Sequence, residues 1–240
     1  MIEIAGLTVR FGGLTALSNL DVTFSEPVCG LIGPNGSGKT TLFNVLSGFV
    51  TPAEGEVRVD GKELLAMPHY RRARWGVRRT FQTEQTIANM SLFDNVGLVA
   101  EQQSATVRGG RRQAIIDALN FVGLADRSFL AAAKLDVGRR RLLEIAKAVV
   151  GSPRIVLLDE PGAGLAEEES AQLIAVVQEV PSFCGAQVIL VDHDMSVVSG
   201  SCSSLAVLDF GHLIASGKTS DVLYNPDVVR AYLGVAEETA

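Results

Sequence analysis

The chain contains Gly33-Pro34-Asn35-Gly36-Ser37-Gly38-Lys39-Thr40, which matches the phosphate-binding loop pattern G-x-x-x-x-G-K-S/T. The apolar run from Val28 to Ile32 precedes this loop and predicts a buried strand. Apolar residues at helical spacing follow it up to Gly48, which predicts a helix with a glycine cap. A glycine-rich turn could match this pattern by chance, but a chance match is not expected to have a strand before it and a helix after it. The sequence therefore predicts nucleotide binding.

The residue types of this loop suit phosphate chemistry. Glycines let the backbone curl so that its N–H groups point at phosphate oxygens, and the helix N-terminus adds a favourable dipole. We expect Lys39 to reach the β- and γ-phosphates of the nucleotide. We expect the Thr40 hydroxyl to bind Mg²⁺ and the Thr41 hydroxyl to face the α-phosphate side.

Composition limits the classes of function. The net charge of −6 over 240 residues argues against nucleic acid as the main ligand, because backbone binders carry a basic excess. No run is long enough to span a membrane, and the first residues lack the pattern of a signal peptide, so we expect a cytoplasmic protein. Cys29, Cys184 and Cys202 lie far apart, which indicates neither a disulfide framework nor a zinc site.

The N-terminal region predicts an antiparallel β layer. Apolar and polar residues alternate from Ile2 to Phe24 around Gly12-Gly13, and the segment 56–62 predicts a further strand with a tight Asp-Gly turn. Phe11 lies at a predicted strand end, followed by glycines. Its ring could stack on a nucleotide base or belong to the core.

Two carboxylates end a predicted strand in the second half of the chain. The apolar run from Ile155 ends in Asp159 and Glu160, at the strand end where parallel sheets carry their functional groups. We expect Asp159 to join the magnesium shell and Glu160 to position a water for attack on the γ-phosphate. His193 follows the next buried strand, which places it at the same kind of edge.

The middle of the chain predicts helices. Helical spacing extends from Ser91 to Leu124, and an amphipathic helix opens at Leu135-Asp136-Val137-Gly138. The basic run from Arg71 to Arg79 precedes Thr80-Phe81-Gln82 and is interpreted as a solvated face.

With these motifs in order, the chain resembles the ATP-binding subunit of an ABC transporter along nearly its whole length. The resemblance assigns base stacking to Phe11, a place in the metal shell and a link to the membrane partner to Gln82, catalysis to Glu160, and a γ-phosphate contact to His193. Thr80-Phe81-Gln82 and the C-terminal string 225–234 resemble the importer group for branched-chain and related amino acids.

The resemblance also implies a fold and partners. The fold is α/β, with a parallel P-loop NTPase core and antiparallel β layer (1–91 and 152–240) and a helical subdomain (92–151), in a single ATP-binding domain, 1–240. The implied cofactors are ATP and Mg²⁺. The implied partners are transmembrane permease subunits at the inner face of the cell membrane, a second ATP-binding subunit and, indirectly, an extracytoplasmic solute-binding protein.

The family signature Leu-Ser-Gly-Gly-Gln is altered in this chain. In the family the signature meets ATP bound by the other subunit of a head-to-tail dimer, so Asp136, Gly138 and Arg139 are expected to act in trans. An acid at the serine position would repel phosphate by about 4 kcal/mol at about 4 Å and an effective dielectric near 20. Our hypothesis is that Asp136 caps the following helix and Arg139 takes over the phosphate contact.

Three readings remain open. The chain could be an ATPase that powers solute import. It could then act in a heterodimer, which the resemblance to the importer group favours, or in a homodimer. It could instead be a nucleotide-dependent regulatory subunit whose altered signature suppresses hydrolysis. A relative acting in DNA repair or translation is disfavoured, because such chains commonly carry two ATPase units or long coiled-coil inserts.

Overall fold

The computed structural model describes residues 1–101 and 110–233. Part of the predicted helical stretch (102–109), Gly234 of the C-terminal string and the final acidic residues, which were expected to fray, lie outside the described residues. The strands are β1 (Ile2–Phe11), β2 (Leu14–Phe24), β3 (Val28–Ile32), β4 (Glu54–Val59), β5 (Lys62–Glu63), β6 (Val77–Arg79), β7 (Ile155–Asp159), β8 (Gln187–Val191), β9 (Ser204–Asp209) and β10 (His212–Lys218). The helices are α1 (Lys39–Ser47), α2 (His69–Trp75), α3 (Leu92–Ala100), α4 (Gly110–Phe121), α5 (Val137–Val149), α6 (Glu167–Cys184), α7 (Met195–Ser201), α8 (Thr219–Leu223) and α9 (Pro226–Leu233).

The chain divides into two compact units, residues 1–69 with 202–240 and residues 70–201. The first unit holds the predicted antiparallel layer, with strands in the order β2-β1-β4-β5. In the same unit β3 pairs in parallel with β9, and β9 pairs antiparallel with β10. Asp60 and Gly61 both have positive φ, as a tight Asp-Gly turn requires.

The second unit holds a parallel set, because β7 pairs in parallel with both β6 and β8. Every residue of β7 is buried, which explains why this strand is continuously apolar up to Asp159. Helices α3, α4 and α5 lie within the predicted lobe, and α5 buries one apolar face as its periodicity indicated. The α/β class is confirmed, while the lobe boundaries stay a prediction.

The basic run before Gln82 was interpreted wrongly. It is not uniformly a solvated face, because Arg72 is only 5% exposed and the side chain of Arg79 only 7%. Residues 77–79 form β6, a short strand that the sequence pattern did not reveal because two of its three residues are arginines. Within the described ranges, none of the helices is both long and apolar enough to cross a membrane.

Candidate functional site

The phosphate-binding loop joins β3 to α1 in the first unit, as predicted. Helix α1 begins at Lys39, and its N-cap residue Gly38 has φ of 107° and no side-chain cap. The first N–H groups of the helix are therefore not satisfied by a capping side chain, which suits an anion. The Lys39 ammonium donates to the carbonyl oxygens of Gly33 (2.6 Å) and Pro34 (2.8 Å), so the loop holds its own cation in place.

Close packing explains why the loop begins with a glycine. At Gly33 φ is +149°, and a Cβ atom there would lie 2.0 Å from the carbonyl oxygen of Leu208 in β9.

The sequence interpretation missed a second neighbour of Gly33, which is Tyr232 of α9. The backbone N–H of Gly33 faces the Tyr232 hydroxyl, and partial burial raises the pKa of Tyr232. The C-terminal helix therefore supports the start of the loop.

The other predicted nucleotide contacts of the first unit differ in exposure. The ring of Phe11, at the end of β1, is half exposed and remains accessible to a base. Thr40 is exposed and Thr41 is partly buried, whereas Ser37 is only 2% exposed. Ser37 supports the loop through its backbone, since its carbonyl oxygen accepts from the N–H of Gly211 (3.0 Å).

In the second unit, three of the predicted residues meet at one carboxylate. The Gln82 amide donates to Glu160 Oε2 (2.7 Å), and His193 Nε2 lies 3.3 Å from Glu160 Oε1. Glu160 has φ of +50°, a conformation that non-glycine residues adopt mainly where the surrounding structure enforces it. Strand ends at β7 and β8 thus supply a carboxylate and an imidazole within contact distance.

Asp192 anchors the two loops that carry these groups. Its carboxylate accepts from the N–H of Gly162 (2.7 Å) in the loop after Glu160, and from the N–H of Asp194 (3.0 Å) beside His193. Asp192 is 4% exposed, and this burial raises the pKa of its carboxyl group despite those hydrogen bonds. The sequence interpretation did not assign it a role.

We expect Asp192 to make stability depend on pH. Because its pKa is raised in the folded state, the folded protein holds the proton more tightly than the unfolded chain does. The free energy of unfolding of the wild type, relative to Asp192→Asn, should therefore increase as the pH falls from 7 towards about 4. Urea titrations of both proteins across this range measure the difference; a constant difference would contradict the prediction.

Asp159, which precedes Glu160, is a buried acid with a buried partner. Arg79 Nη2 donates to Asp159 Oδ2 (2.7 Å), and the two side chains are 7% and 8% exposed. The Asp159 N–H donates to the Thr80 hydroxyl (3.1 Å). Gln82 and Asp159 in this unit, and Thr40 in the first unit, all offer oxygen atoms, which are the ligands that Mg²⁺ prefers. The chemistry of these donors suits Mg²⁺, while the magnesium site itself stays a prediction.

The altered signature begins α5, and Asp136 is its N-cap. Its carboxylate accepts from the N–H of Arg139 (2.8 Å) and also contacts the Arg139 guanidinium. The backbone hydrogen bond of Arg139 is the main cause that lowers the pKa of Asp136. The capping half of our hypothesis is confirmed. The phosphate contact of Arg139 stays a prediction.

Gly138 packs against the next helix of the same unit. A Cβ atom at this position would lie 2.5 Å from Glu169 Oε1, so the first turn of α5 has no room for a larger residue here unless Glu169 moves. Glu169 Oε2 also accepts from the N–H of Ala166 (3.0 Å), where α6 begins. Glu169 thereby joins the signature to the loop that follows the acidic strand.

We expect Asp136→Ala to lower the free energy of unfolding by about 1 kcal/mol, because an N-cap acceptor is lost. Asp136→Ser should retain most of the stability, since serine is also a good cap. Urea denaturation of the three proteins measures both effects. Equal losses in the two variants would show that the cap is not what Asp136 contributes.

A cavity of about 480 Å³ lies beside the Gln82 segment, within the second unit. Its lining includes Arg79, Phe81 and Gln85, together with Glu144 and Lys147 of α5. The Lys147 ammonium donates to Glu144 (2.7 Å) and to the Gln85 carbonyl oxygen (2.8 Å). The segment that carries Gln82 is therefore fastened to the helix that begins at the signature.

The sequence profile of the family described as ABC transporter matches residues 17–163. This chain belongs to the ABC transporter family. As an ABC-type ATP-binding subunit it is an ATPase. It is 37% identical, over 98% of both chains, to the high-affinity branched-chain amino acid transport ATP-binding protein BraF of Pseudomonas aeruginosa. It is 35% identical, with the same coverage, to LivG of Escherichia coli strain K12, which bears the same description.

Solved structures of ABC cassettes show the same fold. The ADP conformation of an ATP-binding cassette of an ABC transporter superposes with a TM-score of 0.86, at 27% identity over 98% of both chains. The nucleotide-free form of an ABC transporter cassette gives a TM-score of 0.82 at 25% identity, over 97% of this chain and 98% of that one. The predicted family and fold are thus confirmed.

Proposed function

We propose that this ABC subunit hydrolyses ATP to power the import of branched-chain or related amino acids. The assignment of ATP hydrolysis rests on the Glu160 carboxylate, which contacts both Gln82 and His193. The solute class is supported by BraF and LivG, the relatives at 35–37% identity, which are described as branched-chain amino acid transport proteins.

The residues divide the chemistry of hydrolysis among them. Lys39 and the N–H groups at the start of α1 bind the phosphates, and Phe11 stacks on the base. Thr40, Gln82 and Asp159 would hold Mg²⁺, which would supply positive charge to neutralise the phosphates. Glu160 accepts a proton from the attacking water, whose oxygen bonds to the γ-phosphorus as the bond from the γ-phosphorus to the leaving ADP oxygen breaks. His193 donates to the γ-phosphate.

Glu160 suits this role because its geometry is fixed before reaction. Gln82 and His193 each contact a different oxygen of its carboxylate, so the side chain cannot turn freely. The positive φ of Glu160 is stabilised by a backbone hydrogen bond to the Val191 carbonyl oxygen (2.7 Å). A base positioned in advance avoids the entropic cost of ordering it in the transition state.

We further propose that transmembrane permease subunits bind at the 480 Å³ cavity beside Gln82. This contact would hold the ATP-binding subunit at the inner face of the cell membrane. The cavity is lined by apolar groups such as Phe81, Ile87 and Leu98, as a surface that receives another protein requires. A conformational change of the permease at this cavity is transmitted to Glu160 through Gln82. An extracytoplasmic solute-binding protein would take part indirectly.

A head-to-tail dimer completes the proposal, with Asp136, Gly138 and Arg139 facing ATP on the partner. Arg139 pairs with Asp136 at the start of α5, which reduces the repulsion that an unpaired acid would exert on phosphate. The importer group pairs two different ATP-binding subunits, and we favour a heterodimer for this reason.

Uptake of labelled leucine, isoleucine and valine tests the proposal. It is compared in cells whose only copy of this subunit is wild type, Glu160→Gln or the control Glu168→Gln, which alters an exposed acid of α6. Glu160→Gln should abolish uptake, while Glu168→Gln should leave it unchanged. If Glu160→Gln stops ATP hydrolysis in the purified protein but leaves the uptake of all three amino acids intact, the solute assignment is wrong.

A further inference from the structure

Arg79 and Asp159 form an ion pair that the chemistry above does not use. The pair is 2.7 Å long, and each side chain is more than nine-tenths buried. Among the described residues, Arg79 is the sole cation paired with this carboxylate, and no other side chain donates to it. A buried carboxylate needs such compensation, because an unpaired charge is costly away from water.

The same carboxylate is proposed to bind the magnesium shell. A guanidinium and a divalent cation next to one carboxylate repel each other, and they compete for its negative charge. We propose that Arg79 is a stand-in cation. It forms an ion pair with the Asp159 carboxylate when no metal is bound, and Mg²⁺ displaces it from this carboxylate on binding. Arg79 is thus a positioning residue that sets the metal affinity of the site.

The Arg79 guanidinium also has neighbours other than Asp159. Its guanidinium lies 5.0 Å from the centroid of the Phe81 ring, within the range of a cation–π contact. Arg79 and Phe81 both line the 480 Å³ cavity. An aromatic ring and a cavity therefore both adjoin the guanidinium, and in the proposal it turns towards them when the metal binds.

Metal binding in the ADP complex tests this inference without catalysis. The probe is Mn²⁺, and free Mn²⁺ is measured by electron paramagnetic resonance during titration with ADP present. Arg79→Met should bind Mn²⁺ about tenfold more tightly than wild type, because the metal no longer displaces a cation. Arg79→Gln, which can still donate to Oδ2 but has no charge, should also bind more tightly. Unchanged or weaker binding in both variants would overturn the proposal.

A matched control separates local from general charge effects. Arg74 lines the same cavity, is exposed, and has no ion pair among the described contacts. Arg74→Met changes the net charge equally and should leave Mn²⁺ affinity unchanged. An equal gain in Arg74→Met would overturn the proposal, because the effect would then be one of net charge.

Stability without metal gives an independent readout. Arg79→Met should melt several degrees below wild type, because Asp159 is left unpaired. The double variant Arg79→Met with Asp159→Asn should recover most of this loss. If Arg79→Met melts like wild type, Arg79 does not compensate Asp159 and the proposal fails.

The proposal rests on the role of Asp159 at the metal, so that role is tested separately. Asp159→Asn alone should weaken Mn²⁺ binding. If it does not, the metal assignment fails and the proposal fails with it. If Asp159→Asn weakens binding while loss of Arg79 does not strengthen it, only the stand-in role is wrong.

Discussion

The variant Glu160→Gln is expected to bind ATP normally and to lose at least about a hundredfold in the rate of hydrolysis. Glutamine has nearly the same shape as glutamate and can keep one of the two contacts that hold Glu160, but it cannot accept a proton from water. Phosphate release measures the rate, and fluorescent ATP binding measures the affinity. A basal rate that survives in Glu160→Gln would assign the base to another group.

The same variant reports on the dimer. ATP bound without turnover should accumulate any closed dimer, which light scattering detects as a doubling of mass when Mg-ATP is added. A shift would mean that the signature of Asp136, Val137 and Arg139 still clamps ATP in a homodimer. A protein that binds ATP yet stays monomeric would favour a heterodimer. Glu168→Gln is the control, because it should hydrolyse ATP at the wild-type rate.

The second large effect is expected at Lys39. Lys39→Met should weaken ATP binding by about a hundredfold, because charge-assisted hydrogen bonds to phosphate are lost. Lys39 is only 6% exposed and two carbonyl oxygens of the loop accept hydrogen bonds from its ammonium group, so the folded protein already orients it. Fluorescent ATP titration measures the affinity.

Lys62→Met is the matched control for this variant. Lys62 lies on β5 of the same unit, is exposed, and carries the same charge. Its loss should leave ATP affinity within about twofold of wild type, since Lys62 is not part of the loop and salt screens exposed charges. If Lys39→Met binds ATP as tightly as Lys62→Met does, the loop does not bind phosphate through its lysine.

Several parts of the site were predictable because local sequence determines them. The loop from Gly33 to Thr40 requires particular residues at fixed spacing, and the strand that ends in Asp159 and Glu160 shows its burial in an unbroken apolar run. The cap at Asp136 followed from the known preference of helix starts for aspartate. Each of these inferences needs only residues that are neighbours in the chain.

Other parts depend on residues that are distant in sequence. Arg79 and Asp159 are 80 positions apart, and a run of arginines usually indicates a solvated face. Asp192 and Gly162 are 30 positions apart, and the role of Asp192 is visible only in the hydrogen bonds it accepts. The sequence pattern had no means to reveal either contact, because hydrophobic periodicity records burial but does not identify the partner of a buried charge.

The amino-acid sequence alone determined the α/β class, the nucleotide-binding loop, the two carboxylates and the family resemblance, because these depend on local residue types and on their order. Only the tertiary structure decided which groups meet: Gln82 and His193 at Glu160, Arg79 at Asp159, and Tyr232 at Gly33. The physical reason is that a buried polar group takes whichever partner the packed strands and helices bring within hydrogen-bond distance.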